Sequence, residues 1–196
     1  AYAALKKDGK VVTWGDPGYG GDSSTVKHLL TGRIIDIKSR PVVQVVATLQ
    51  AAAALFANGS VITWGSSSYA TVTSEVANLL KSDVLSLYAT NKNFAALRSD
   101  GRMVQWGYDQ LPNPNETYLA TTKVKSLAHT RNAFAALMAD GTLHTWGRTT
   151  SEAKMPDDVK SRIEWLVSKG VNIKGVYATE ASFAAHMSDK TLITWG

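Results

Sequence analysis

The sequence predicts an all-β array of small antiparallel sheets, and three observations carry that prediction. First, AYAALKKDGKVVTWG (1–15) recurs as AAAALFANGSVITWG (51–65), FAALRSDGRMVQWG (94–107), FAALMADGTLHTWG (134–147) and FAAHMSDKTLITWG (183–196). The copies place Trp14, Trp64, Trp106, Trp146 and Trp195 in one column. Second, Asp8-Gly9, Asn58-Gly59, Asp100-Gly101 and Asp140-Gly141 are dipeptides favoured in hairpin turns, whose central residues take positive φ. The last copy has Asp189-Lys190, where Lys must bear that strain or the turn must differ. Third, 196 residues with 44% hydrophobic and 19% charged side chains can bury a core in one ordinary domain or repeat array.

Within each copy, the strand before the turn carries small residues at fixed places: Ala3-Ala4, Ala53-Ala54, Ala95-Ala96, Ala135-Ala136 and Ala184-Ala185. Small side chains let neighbouring backbones or sheets approach closely. The strand after the turn is apolar on both faces, which predicts burial on both sides in stacked sheets. A further strand precedes every hairpin but the first, at PVVQVVAT (41–48), DVLSLYAT (83–90), KVKSLAHT (123–130) and VNIKGVYAT (171–179). Each ends on a threonine: Thr48, Thr90, Thr130 or Thr179.

The connections that follow Trp-Gly are variable and rich in turn residues. Short helices are predicted in STVKHLL (24–30), SEVANLL (74–80) and DDVKSRIEWLVSKG (157–170), with Ser24, Ser74 and Asp157 as N-caps. Gly32 and Gly170 read as helix stops. Pro112 and Pro114 predict loop in the third connection. The run PVVQVVATLQAAAALFA (41–57) falls short of the ~20 residues of a membrane span, and Gln44 and Gln50 interrupt it.

One unit is therefore a connection and three strands, each adjacent in sequence to the next. The units run 16–65, 66–107, 108–147 and 148–196 after a partial unit 1–15, in a single repeat domain. Radial repetition of such sheets builds a β-propeller. The small-residue strand, Asp-Gly, apolar strand and Trp-Gly pattern resembles the regulator of chromosome condensation repeat. It is closer to the bacterial branch of that superfamily, which includes propeller-type β-lactamase inhibitor proteins. The resemblance covers essentially the whole chain. Two features depart from it: no copy has Gly-Gln-Leu-Gly after Trp-Gly, and five hairpins stand where the family usually has seven blades.

Cysteine is absent, which excludes disulfides, thiolate metal sites and a cysteine nucleophile, and fits the cytoplasm or a bacterial exported protein. The net charge of +5 permits anionic partners, but the basic residues are scattered as on a solvated surface, so nucleic acid is not expected.

Of the four histidines, His129, His144 and His186 occupy framework columns, while His28 lies in a connection. They are read either as a metal or pH-sensitive site or as hydrogen-bonded core or channel residues; no His/Glu helical spacing supports a metal. DPGYGGDSS (16–24) lacks the Lys-Ser/Thr ending of a phosphate loop, and no Gly-x-Ser-x-Gly elbow is present. The repeated tryptophans are packing residues on this reading, because a large ring in every unit fills the space between sheets.

Binding is expected instead from side chains outside the framework: Tyr19, Tyr69, Tyr108, Asp109, Tyr118 and Trp165. The expected function is recognition of a protein or glycan through variable loops on one rim, without a cofactor. The resemblance to bacterial repeat proteins implies a secreted or cell-surface setting. A stoichiometric enzyme inhibitor and a GTPase or chromatin regulator are the alternatives. The repeat grammar also predicts a longer chain, with about two further units of ~40 residues for a seven-bladed ring, against a closed five-bladed ring.

Overall fold

Each Trp-Gly motif closes an antiparallel sheet whose strands follow chain order, and the structure, a computed structural model, describes residues 1–31, 41–109, 123–148 and 154–196. These fall into two units, Ala1–Gln110 and Leu111–Gly196. The first holds a two-stranded sheet of β1 (Tyr2–Leu5) and β2 (Val11–Trp14). It continues with β3 (Val42–Ala47), β4 (Ala51–Phe56) and β5 (Val61–Gly65), then β6 (Val84–Ala89), β7 (Asn93–Arg98) and β8 (Met103–Gly107). The second holds β9 (Val124–His129), β10 (Ala133–Met138) and β11 (Leu143–Gly147), then β12 (Ile173–Ala178), β13 (Phe183–Met187) and β14 (Leu192–Trp195).

All five hairpins turn in the same way, and not with two positive-φ residues. Only the second residue of each dipeptide is left-handed, with φ of 76° at Gly9, 79° at Gly59, 82° at Gly101, 87° at Gly141 and 75° at Lys190. Its amide donates to the carbonyl three residues back, as from Gly59 to Phe56 at 2.9 Å and from Lys190 to Met187 at 3.1 Å. The preceding Asp or Asn accepts from the amide two residues on, as Asn58 Oδ1 does from Ser60 and Asp189 Oδ1 from Thr191. This is a type I turn closed by a left-handed residue. Lys190 takes the left-handed conformation that the sequence left open.

The middle strand, not the one after the turn, is buried on both faces. Every residue of β4, β7 and β10 is buried, whereas β5 is buried only at Trp64 and β8 only at Val104 and Trp106. A middle strand has a partner on each edge, and alanines let adjacent sheets close over it; the strand after the turn lies at the sheet edge.

The sheets pack aromatic face to small-residue face. Phe94, Ala96, Val104 and Trp106 cluster with Ala51, Ala53 and Leu55 of the sheet before them. In the second unit, Phe183, Ala185, Ile193 and Trp195 cluster with Ala133, Ala135 and Leu137. Register places a ring opposite the tryptophan, with centroids 5.2 Å apart for Phe94–Trp106, 5.6 Å for Phe134–Trp146 and 5.5 Å for Phe183–Trp195. Such pairs add about 0.5–1.5 kcal/mol beyond area burial. Trp64 faces Ala52 instead, and its Nε1 donates to the Gly20 carbonyl at 3.1 Å.

The five tryptophans share one place in their sheets but not one burial class. Trp14 is 50% exposed, stacked on Tyr2 at 5.6 Å. Within their units, Trp64, Trp106 and Trp195 are covered by the sheet before them in the chain, a cover that Trp14 does not have in the structure.

Side chains stitch the sheets of the first unit. Gln44 donates through Nε2 to the Leu87 carbonyl and accepts through Oε1 from the Leu87 amide, both at 2.8 Å. The turn carbonyls of Gly9 and Gly59 accept from Val42 and Val84, at 3.0 Å each.

The connecting helices are α1 (Lys27–Leu30), α2 (Ser67–Ala70), α3 (Ser74–Leu79) and α4 (Asp157–Ser168), with a 3-10 turn at Pro17–Tyr19. Their caps fall one or two residues from the predicted ones. Thr73, not Ser74, caps α3 through a bond from the Val76 amide; Pro156 and Val26 precede α4 and α1 without side-chain caps. Gly170 follows α4 with φ of 82°, as a helix stop requires. Gly32, Pro112 and Pro114 lie outside the described residues.

Turn substitutions separate backbone strain from steric cost. A Cβ at Gly141 would meet nothing within 4 Å, so Gly141→Ala is expected to cost only the left-handed penalty of about 1 kcal/mol. A Cβ at Gly59 would lie 2.7 Å from the Asp83 nitrogen. Gly59→Ala should therefore be the more destabilising in urea unfolding; equal losses would contradict this account.

Candidate functional site

The end of each sheet opposite the hairpin turns is built by a threonine loop and the start of a connection. Thr48 Oγ1 accepts from the Ala51 amide at 3.0 Å, and Thr90 and Thr130 repeat the bond with Asn93 and Ala133. After Trp-Gly the chain crosses this loop: Ser66 donates to Gln50, Tyr108 to Lys92 and Arg148 to Asn132, at 2.9–3.0 Å. Neighbouring loops are joined, Leu49 to the Asn91 carbonyl in the first unit and Arg131 to the Glu180 carbonyl in the second, both at 2.9 Å.

On the first unit this end presents an aromatic and charged surface. Tyr19 ends the 3-10 turn and is 46% exposed. Asp16 starts that turn by accepting from the Gly18 amide at 2.8 Å. Tyr108 is 51% exposed, with Lys92 Nζ 4.6 Å from its ring centroid. Lys92 also lies 3.8 Å from Asp109, and buried Asn93 donates through Nδ2 to the Asp109 carbonyl at 2.6 Å. Asn93 thus holds the loop that carries Tyr108 and Asp109. Leu49, exposed in the threonine loop, adds an apolar contact that sequence reasoning missed. Nothing in the repeat pattern marks it, because its column is a loop position.

Tyr69 departs from the expectation of an open loop tyrosine. It is 5% exposed and packed with Ala51, Leu80 and Trp106, and its ring meets that of Tyr108 at 4.9 Å. The structure thus brings Tyr69, Tyr108 and Asp109 together. Tyr118 lies outside the described residues.

Trp165 belongs to the second unit, exposed on α4. That helix flanks the hairpin-turn end of β10–β11 and bounds a cleft of about 540 Å³ that sequence reasoning did not find. Leu143, Met155, Ile163, Val167 and Ile173 form its apolar lining, with Asp140, His144, Lys160 and Glu164 among its polar members. The Ile163–Val167 spacing on a predicted helix and a histidine in an apolar column were the available signals.

The framework histidines do not converge. In the β9–β10–β11 sheet His129 pairs with Phe134 and His144 with Ala136, two rows apart; His186 is in another sheet. Among the described residues no group of three His, Asp or Glu side chains is placed to hold a metal ion. No helix there is long and apolar enough to cross a membrane.

Burial holds the His144 imidazole below its ordinary value; Asp140 opposes this and Lys160 adds to it. A histidine whose folded value is depressed is protonated first in the unfolded chain as pH falls. Stability is therefore lost as pH drops below about 6.5, and the loss levels off below the folded value. His144→Gln is expected to reduce the stability difference between pH 7 and pH 5 in thermal unfolding. An unchanged difference would remove His144 from the pH response.

No family model matches the chain, and no curated protein sequence matches it significantly. Solved structures do. Yeast RCC1 (Prp20) bound to Kap60 superposes with a TM-score of 0.59 at 20% identity, over 98% of this chain and 53% of that one. Prp20p from Saccharomyces cerevisiae, in a study of its binding to Gsp1p and histones, gives 0.54 at 17%, over 80% and 45%. The CRINKLY WD40 ectodomain of the Arabidopsis thaliana receptor kinase ACR4 gives 0.53 at 15%, over 80% and 50%. The chain spans about half the length of these structures, and the likeness shows the fold: that of a β-propeller.

Proposed function

We propose that this chain is a non-catalytic recognition module that binds a protein through the loop end of its first unit. The observation that carries the reading is the exposure of Tyr19, Leu49 and Tyr108 at one end of a buried framework. Tyrosine combines a large apolar body with a polar tip and is enriched where interfaces concentrate their energy. The Lys92–Asp109 pair beside Tyr108 supplies a polar rim. Buried strands hold these loops in place, so a partner meets a preformed surface. The binding of Prp20 to Kap60, Gsp1p and histones supports a protein as the class of ligand. We assign the module to a bacterial secreted or surface protein on the repeat resemblance alone.

Immobilised chain would be probed with Gsp1p, core histones, a class A β-lactamase and a glycan array. The expected result is saturable binding of a protein probe that Tyr108→Ala and Tyr19→Ala each weaken about tenfold. Thermal stability of both variants should stay near the parent value, whereas Tyr69→Ala should lower it because that ring is core. Glycan binding alone, or a protein probe indifferent to Tyr19 and Tyr108, would overturn the proposal.

A further inference from the structure

In the second unit α4 leaves open a space that the corresponding helix of the first unit closes. Just past the end of α3 the Leu80 carbonyl accepts from the Val61 amide at 2.8 Å, and Leu80 is buried. Leu143 holds the place of Val61 in its sheet, since Val61 pairs with Leu55 and Leu143 with Leu137. Leu143 lines the cleft instead, with Ile173 of β12. The helix is also longer, 12 residues in α4 against six in α3, or about 18 Å against about 9 Å. Ile163 reaches the core, whereas Val167, one turn on, stays 37% exposed on the cleft wall.

One stripe of α4 faces this space: Lys160, Ile163, Glu164, Val167 and Ser168, at the spacing of a single helix face. Leu143, Met155 and Ile173 complete an apolar wall that is aliphatic or thioether, with no aromatic ring among the described residues. Such a wall suits a flexible aliphatic body, to which Met155 can adjust. Its volume of about 540 Å³ lies in the range of small-molecule sites.

The charge of the lining has the opposite sign to that of the chain. Asp140 and Glu164 bring two carboxylates, and Lys160 brings one ammonium, 3.9 Å from Glu164. Burial lowers the His144 value, so the imidazole is neutral at pH 7. Two negative charges and one positive leave the described lining at −1, on a chain of net charge +5. Asp140 is engaged in its turn, its Oδ1 accepting from the Thr142 amide at 2.9 Å and hydroxyl at 2.6 Å. Glu164, exposed at the rim, is the carboxylate that a ligand would meet.

We propose that this cleft binds an amphiphilic cation, its aliphatic body between Leu143, Val167 and Ile173 and its ammonium head beside Glu164. Burial of the body supplies the driving force, and the carboxylate selects the sign of the head. Lys160 competes with the ligand for that carboxylate. The site does not rest on the loop-end surface of the first unit.

Titration of the full 196-residue chain with octylammonium, octanol and octanoate at pH 7, followed by methyl NMR, tests this. Octylammonium should bind saturably, shift the methyl signals of Leu143, Met155 and Val167, and bind more tightly than octanol, with octanoate weakest. Shortening it to hexylammonium should weaken binding about tenfold, as burial of two methylenes requires. Glu164→Gln should weaken octylammonium about fivefold and leave octanol unchanged, whereas Lys160→Ala should tighten octylammonium. Val167→Ser should weaken both ligands. These three positions are exposed, and unchanged thermal melts would show that the variants fold. Octanoate binding as tightly as octylammonium overturns the proposal. So do methyl shifts that Val167→Ser does not reduce, a Lys160→Ala variant that binds octylammonium no better, or the absence of saturable binding.

Discussion

The close approach of the Trp-Gly glycine to the middle strand sets the geometry of the complete sheets. A Cβ at Gly65 would lie 2.6 Å from the Gln50 carbonyl and 2.7 Å from the Ala51 Cα. At Gly107 and Gly147 the nearest distances are 2.4 Å, to the carbonyls of Lys92 and Asn132. No side chain fits there, so only glycine lets the last strand press on the start of the middle one. The indole one residue earlier is then held level with the second residue of the middle strand, a phenylalanine ring beside Trp106 and Trp146 and Ala52 beside Trp64, and the backbone one residue later hydrogen-bonds to the threonine loop.

From that contact the rest follows by packing. A middle strand of alanines, flanked on both edges, can be covered on both faces, which is why β4, β7 and β10 contain no exposed residue. Within each unit, the aromatic face of the next sheet fills the space that the alanines leave. Dispersion and desolvation are concentrated in these layers, and a buried Phe→Ala change in them would cost on the order of 3–5 kcal/mol. Strands so constrained leave freedom to the connections. Tyr19 stands on a turn started by a local bond through Asp16, whereas Tyr108 follows a backbone bond to Lys92 that the framework repeats and leaves its side chain free to differ.

Departures from the repeat mark where a unit has acquired something of its own. Gln44 stands where the other sheets have Ser86, Ser126 and Gly175, and it alone in that column reaches across to pair with the neighbouring backbone. Arg98 replaces the apolar Phe56, Met138 and Met187; it is buried and donates to the Ser82 carbonyl at 3.0 Å, tying the end of α3 to β7. A buried guanidinium is tolerated because carbonyls and the carboxylates of Asp83 and Asp100 surround it.

Period and punctuation in the chain were enough to determine the five hairpins, the strands that run up to a threonine, the sheet order and the packing role of four of the five repeated tryptophans. These depend on local geometry: a left-handed turn residue, an alternation of side chains, a glycine where no Cβ fits. The expectation that the last strand of each unit is buried on both faces failed, because periodicity records which residues are apolar and not which strand is central. The candidate site was legible as a set of connections, and Tyr19 and Tyr108 stand exposed on them. Tyr69 did not separate from its neighbours in the sequence, since the same residue type in the same connection faces the core once α2 lies against β5 and β8. Trp14 shares its motif with four buried tryptophans and differs only in what lies against it. Burial is a property of the neighbouring sheet, and the neighbour is supplied by tertiary packing, not by the motif.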